Sequence, residues 1–473
     1  MSVLPAAGVS FDIEVPVAIV GAGAAGMTAA LAARDAGVEA LMLERDAVAQ
    51  GSTALSSGLI PAAGTKIQHA KGIADSPDLF AADIQHKARN EADKQLVTLL
   101  ARESGPTIDW LAEKHGVPFT LVEGFLYPGH SVLRMHGTPR RTGAELMAFL
   151  SEAATRAGAE LVTQAHVDAL YADATGRVAG LRIRRPDATI ESIGCGALVL
   201  ACSGFGGNPD LVQRYIPEMA DALFFGHTGN KGDAVNWGTA LGAAVRDMGA
   251  YQGHGSVATP HNILITWALM MEGGIQVNAE GKRFSNEHQG YSEQSVAVLA
   301  QPGRVAFNIY DHRRHELAMQ FEDYRNAVAA GAVKTAVTPA QLAAMLGLPA
   351  DALTATLEDA HAFATGEAED RFGRDFTGSA PLGAPYFGVK VTGALFHTQG
   401  GLVVDAQARV CRPDGTPLPN LFAAGGAAAG VSGPAVWGYL SGNGLLSAVT
   451  LGRLAGTHAA RLSRRGTAIA ASN

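Results

Sequence analysis

Gly21, Gly23 and Gly26 stand at GxGxxG spacing, directly behind the apolar run VPVAIV of residues 15–20 and at the head of an alanine-rich stretch. The run reads as a fully buried strand. Residues 25–36 read as a helix that stops at Gly37. Each glycine then has a task. The first permits a tight turn, the second lets the backbone approach a pyrophosphate, and the third lets helix and strand pack closely. The helix start, with Ala24 and Ala25, offers free N–H groups and a partial positive charge to phosphate. Glu44 ends a second strand over residues 38–44, 18 residues after Gly26, where a carboxylate can bind ribose hydroxyls. A lone GxGxxG is weak evidence. Strand, helix and acid in register make a dinucleotide site the expectation. The run GSTALSSGLIPAAGT follows at residues 51–65. Its glycines and small hydroxyl residues, among them Ser52, Thr53, Ser57 and Gly58, suit a loop along a second phosphate and a flavin ring. FAD is therefore expected rather than NAD.

The elements that must position these residues follow from the pattern. Helices are expected at 91–115 and 142–157, and strand-like alternation runs through 159–200. Near residue 254 the character changes to a more charged segment with helices at 335–347 and 350–366. The Gly/Ala-rich style returns with GALFHTQGGLVVD. The expected fold class is α/β: a Rossmann-like FAD-binding domain over 1–253 and 385–473, with an inserted α+β capping domain over 254–384. Hydrophobic residues make up 47% of the 473 and charged residues 17%, so large cores can form and disorder is excluded. A net charge of -8 argues against a nucleic-acid partner. The small basic group Arg461, Arg464 and Arg465 fits a solvated helix end. Cys195, Cys202 and Cys411 match no zinc or haem spacing, so no metal site is expected and a reducing, cytoplasmic compartment is. The N-terminal stretch lacks a basic, then apolar, leader, and no apolar run approaches the ~20 residues of a membrane span.

Taken together, the strings resemble the fumarate reductase/succinate dehydrogenase flavoprotein superfamily, which includes the 3-ketosteroid dehydrogenases. They are GAGAAG (21–26), the GST…SG…AAGT loop, RTGAEL (141–146), LACSGFGGN (200–208) and NKGDAVNWGTALGAAVRDM (230–248). VNAEGKRFSNE (277–287), GALFHTQGGLVVD (393–405), LPNLFAAGGAAAG (418–430) and GNGLLSAVTLGRLAG (442–456) complete the likeness. By position, the resemblance implies that Asp233 lies near the ribityl and phosphate region of FAD. It implies a backbone contact of Val167 to the adenine, and a loop and helix start at Gly442, Gly444 and Leu445 under the pyrimidine end of the flavin. Arg45, Ala201, Gly204 and Gly425 complete the implied cofactor contacts. Ser52 stands where succinate dehydrogenases carry a flavin-bonded histidine, so FAD should be non-covalent. Gly426 stands where the family has a glutamate, and no CxxCH haem motif occurs.

The active-site positions depart from the fumarate reductases. The run NEHQGYSEQS puts Tyr291 in place of their catalytic arginine. VSGPAVWGYLSGNG has no arginine where theirs binds fumarate. Tyr291 and Tyr439, with Ser441, are instead similar to the ketosteroid dehydrogenase pattern. There one tyrosine removes a proton beside a carbonyl and another holds the carbonyl oxygen. His254 and His397 match carboxylate-contacting positions of fumarate reductases. Packing alone would also account for either tyrosine, and a polar loop or a flavin-loop contact for either histidine. Arg283 is assigned to structure, Tyr127 is a possible cavity residue, and Trp437 reads as a cavity wall. The expected activity is FAD-dependent oxidation of a CH–CH bond beside the carbonyl of a small molecule, 3-oxosteroid or smaller ring, with an unidentified electron acceptor. Reduction of an unsaturated carboxylate is the alternative, and a flavin-binding protein without turnover ranks below both.

Overall fold

The run VPVAIV forms the inner part of the strand Ile13–Val20, at the heart of a nine-stranded sheet. The computed structural model describes residues 2–470, with side chains described as far as Arg464. Ile13–Val20 lies parallel to Ala40–Leu43 on one side and to Ile190–Leu200 on the other. Val17, Ala18 and Ile19 are fully buried. A parallel strand covered on both faces has no solvent side, which is why the run shows no alternation. Pro417–Ala423 joins Ile190–Leu200 in parallel, while Val178–Arg184 pairs with it antiparallel. The chain thus returns to the first sheet from far along the sequence.

The helix Ala24–Asp35 starts at Gly23 and is buried over most of its length. The last helix, Asn443–Ala470, packs across it at two glycines. A Cβ at Gly452 would stand 2.6 Å from the Ala25 carbonyl oxygen, and one at Gly456 only 2.0 Å from that of Ala29. The backbones can approach this closely only because those side chains are missing. At the far end of this helix the Arg464 guanidinium donates to the Ala36 carbonyl. The Arg465 side chain lies outside the described residues.

A second, seven-stranded sheet is built around the long strand Tyr386–Thr398. Tyr251–Ala258, Val305–Asp311 and Val333–Ala336 pair with it antiparallel, and Leu223–Phe224 pairs in parallel. The expected junctions at 253/254 and 384/385 fall inside the first of these strands and just before the long one. The helix expected over 335–347 begins later, as Pro339–Leu346, because Thr338 and Gln341 form a capping box there and Val333–Ala336 is drawn into the sheet. Lys94–Glu113, Gly143–Arg156 and Ala350–Thr365 fall within the other expected helices. Among the described residues, no helix is long and apolar enough to cross a membrane.

Candidate active site

One long cleft runs between the two sheets. At its nucleotide end, Gly21 has φ +99°, and a Cβ there would meet the Ala201 carbonyl at 2.5 Å. Gly26 leaves no room either: a Cβ would lie 1.9 Å from the Gly21 oxygen. Gly23 is different. A Cβ there would meet only Thr53 Oγ1, at 3.5 Å, so this glycine faces open cleft. The Ala24 N–H donates to Thr53 Oγ1 at 3.1 Å, while the N-cap residue Gly23 brings no side chain to the other N–H groups of the helix. Its N-terminus is left to a ligand. Glu44 accepts from the N–H groups of Ala22 (3.0 Å) and Asp46 (3.1 Å), which orients the carboxylate on the cleft wall.

Across this end lies a segment that the sequence motifs did not mark. Ser52 Oγ accepts from the His227 N–H at 3.0 Å and from Asn230 Nδ2 at 2.8 Å. His227 also meets Asp46 at 2.6 Å, and the Arg45 guanidinium donates to the Gly229 carbonyl at 3.3 Å. The string from Asn230 to Met248 pointed only to Asp233. Asp233 opens the helix Asp233–Ala240 behind Gly232, and burial pushes its carboxyl upward. Ala25, Ser57, Gly58, Val167, Ala201, Gly425, Gly442, Gly444 and Leu445 all line the cleft. Gly26 and Gly204 lie behind it. A Cβ at Gly204 would meet Thr398 Oγ1 at 2.0 Å. At Gly426 a Cβ would meet the Gly204 nitrogen at 2.8 Å, which leaves little room for a side chain. Two buried polar atoms on the walls, Trp237 Nε1 and Ser447 Oγ, have no protein partner. Open Gly23, the free helix start and these orphaned groups fit a bound FAD.

At the other end, the cleft brings Tyr291, Tyr439, Ser441, His254 and His397 together. Tyr291 is the first residue of the helix Tyr291–Leu299, and Gly290, at φ +136°, turns the chain into it. Tyr439 and Ser441 precede Gly442, whose φ of +85° starts the last helix. His254 and His397 come from the paired strands Tyr251–Ala258 and Tyr386–Thr398. The Tyr291 and Tyr439 ring centroids are 6.1 Å apart, and those of His397 and Tyr439 are 5.7 Å apart. Beyond burial, Tyr439 raises and Ser441 lowers the pKa of the Tyr291 hydroxyl, so the three face the same end of the cleft. The backbone N–H groups of Gly442 and Gly444 counter in part the effect of burial on the Tyr439 hydroxyl.

Burial governs the charges. It lifts Tyr291 far above the ordinary phenol range, with the neighbouring Tyr439 adding to the effect. Burial likewise raises Tyr439. It pushes His254 down to about 3 and His397 down to about 4, so both rings are neutral. His254 Nδ1 accepts from the Ser256 N–H at 3.1 Å, which leaves its proton on Nε2. Tyr127 lines the cleft, as does Thr266. Trp437, expected in the wall, does not line the cleft; it lies under the Arg89 guanidinium at 4.3 Å. Arg283 is buried in ion pairs with Glu287 and Asp370, both at 2.7 Å. Among the described residues, Arg45 is the only lysine or arginine lining the cleft, and it stands beside Glu44.

This fold and site define an FAD-dependent oxidoreductase of the type that acts on CH–CH bonds. A family model described as "FAD binding domain" matches residues 16–445. A fumarate reductase (cytochrome) of Shewanella frigidimarina is 30% identical over 453 residues, covering 95% of this chain and 78% of the relative. The open conformation of a flavocytochrome c3 fumarate reductase is similar with a TM-score of 0.81 at 30% identity, over 97% of this chain and 80% of that one. The 3-ketosteroid-Δ4-(5α)-dehydrogenase of Rhodococcus jostii, solved with 4-androstene-3,17-dione, is similar with a TM-score of 0.75 at 26% identity, over 97% and 99%. The chain belongs to the FAD-binding fumarate reductase family.

Proposed function

We propose that the protein oxidises a saturated CH–CH bond beside a carbonyl, or catalyses the reverse. The carrying observation is the charge of the reacting end. Its walls are aromatic, its histidines are neutral, and no lysine or arginine among the described residues lines it. A buried dianion without paired cations is strongly disfavoured, whereas a neutral ketone is not. Bound FAD supplies the hydride acceptor.

The protein's own groups serve the carbonyl side. The α-proton of a ketone is acidic only while the enolate oxygen is stabilised, so donors must wait there. Tyr439 is suited to hold the carbonyl oxygen, because burial keeps its hydroxyl protonated as a donor on the cleft wall. Tyr291 is suited to take the α-proton as its phenolate, once its own proton has left to solvent; burial and Tyr439 oppose that form and the Ser441 side chain favours it. Closure of the segment 254–384 over the cleft would exclude water from the reacting bond. The three cysteines are free thiols, which supports a reducing, cytoplasmic setting.

One observation favours a second reading. The neutral Nε2–H of His254 is a donor on the wall, and family relatives include fumarate reductases. Such a donor could contact the carboxylate of an unsaturated acid, although it brings no charge. A screen of cyclic ketones, enones and unsaturated acids against the bound flavin absorbance separates the two. Bleaching by saturated ketones supports the first reading. Reoxidation of the reduced protein by unsaturated acids alone supports the second.

A further inference from the structure

His130 does not line the cleft, yet it is tied to it by a buried chain of hydrogen bonds. Its Nδ1 lies 3.2 Å from Arg134 Nη1, and its Nε2 lies 3.0 Å from the Ser441 carbonyl oxygen. Guanidinium nitrogens only donate. Nδ1 therefore accepts, and the ring proton on Nε2 is directed at Ser441. Arg134 cannot turn away. Its Nε and Nη2 grip the Asp75 carboxylate at 3.0 and 2.8 Å, and Nη1 also meets Asp83. Arg134 is 1% exposed and His130 7%. Burial and the adjacent guanidinium push the imidazole down to about 4, which keeps it in this neutral form.

The Ser441 carbonyl and the Gly442 N–H belong to one peptide unit. In a trans peptide they point to opposite sides. A hydrogen bond accepted by the carbonyl orients and polarises the N–H on the far side. That N–H is one of the two backbone groups that counter the burial of the Tyr439 hydroxyl, and Ser441, Gly442 and Tyr439 all line the cleft. The unit is also pressed from the side, since a Cβ at Gly442 would stand 2.5 Å from Pro61 Cδ. We propose that His130 is a positioning residue for the reaction: by fixing the Ser441–Gly442 peptide, it sets the place of the Ser441 side chain and of Tyr439, two residues before it, on the cleft wall opposite the reacting bond. The proposal rests on the reading of Tyr439 as the carbonyl-holding group.

The test uses the FAD-loaded enzyme, a ketone substrate confirmed by the screen, and an artificial electron acceptor. His130→Phe keeps a ring but loses both nitrogens, and His130→Gln returns an N–H near the position of Nε2. His130→Phe should lower kcat by about tenfold, the scale of one buried acceptor left unmade, with KM changed by less than about twofold. Flavin content and spectrum should stay as in the wild type, and His130→Gln should recover most of the rate. In a Tyr439→Phe background the His130→Phe loss should vanish, because both changes break one chain. Wild-type kcat in His130→Phe, full additivity with Tyr439→Phe, or a loss that comes with lost flavin and is not repaired by glutamine would each overturn the proposal. A Tyr439→Phe enzyme running at wild-type rate would instead sink the underlying reading of Tyr439.

Discussion

The His254 imidazole lies stacked on the Tyr291 ring, with centroids 4.7 Å apart and 20° between the planes. Trp267 closes the pair edge-on, 5.7 Å from His254 and 6.3 Å from Tyr291. The histidine thus acts as a neutral wall that fixes the phenol, not as a buried cation.

Tyr291→Phe keeps this stack and removes only the oxygen. Flavin should remain bound, while kcat falls by about 10²–10⁴-fold, the usual contribution of a general acid or base. Steady-state kinetics with an artificial acceptor measures it. If Tyr291→Phe runs at wild-type speed and His254→Ala or His397→Ala is dead, the proton is not carried by Tyr291.

The two histidines should be silent in the pH profile. An ordinary imidazole gains its proton near pH ~6.5. Burial moves that step down to about 3 in His254 and about 4 in His397. As pH falls from 8 to about 5.5, both rings therefore stay neutral, and kcat/KM should show no acid limb from them. A limb centred near ~6.5 that disappears in His254→Asn would contradict this neutrality.

Flavin release tests the cofactor's attachment. Ser52 spends its oxygen on His227 and Asn230 and offers no imidazole for a covalent bond. Acid precipitation of the yellow protein should leave the flavin in the supernatant. Colour that stays with the pellet would refute a non-covalent site.

Gly456→Ala should destabilise the protein by about 1–3 kcal/mol, the usual cost of overpacking. Its new Cβ would strike the Ala29 carbonyl and push the last helix off Ala24–Asp35. Because that helix presents its N-terminus to the cleft, flavin content should drop with Tm. Gly383→Ala is the control, since nothing lies within 4 Å of a Cβ there. Equal Tm values for both variants would count against the packing argument.

What could be read from the chain was local. Gly21, Gly23, Gly26 and Glu44 sit within one strand–helix–strand unit, so their spacing alone implied a nucleotide cleft. Tyr291 and Tyr439 were found because they replace arginines in otherwise familiar strings. The His130–Ser441 bond joins residues 311 positions apart, and no periodicity or motif links them. Asn230 and His227 were missed for a related reason: their partner Ser52 lies in the one-turn helix Gly51–Ala54, more than 170 residues earlier. Trp437 sits two residues from Tyr439, but the short 3-10 turn Val436–Gly438 carries it away from the cleft. Sequence proximity misled there because one turn reverses which side faces the cavity.

The most direct test of the account is anaerobic. Saturated cyclic ketones are added to the oxidised enzyme while flavin absorbance is followed and the product is analysed. The expected result is bleaching by at least one ketone with one equivalent of enone formed, no bleaching in Tyr291→Phe on the same timescale, and slow reoxidation of the reduced enzyme by fumarate. Rapid reoxidation by fumarate, with no ketone able to bleach the flavin, would contradict it.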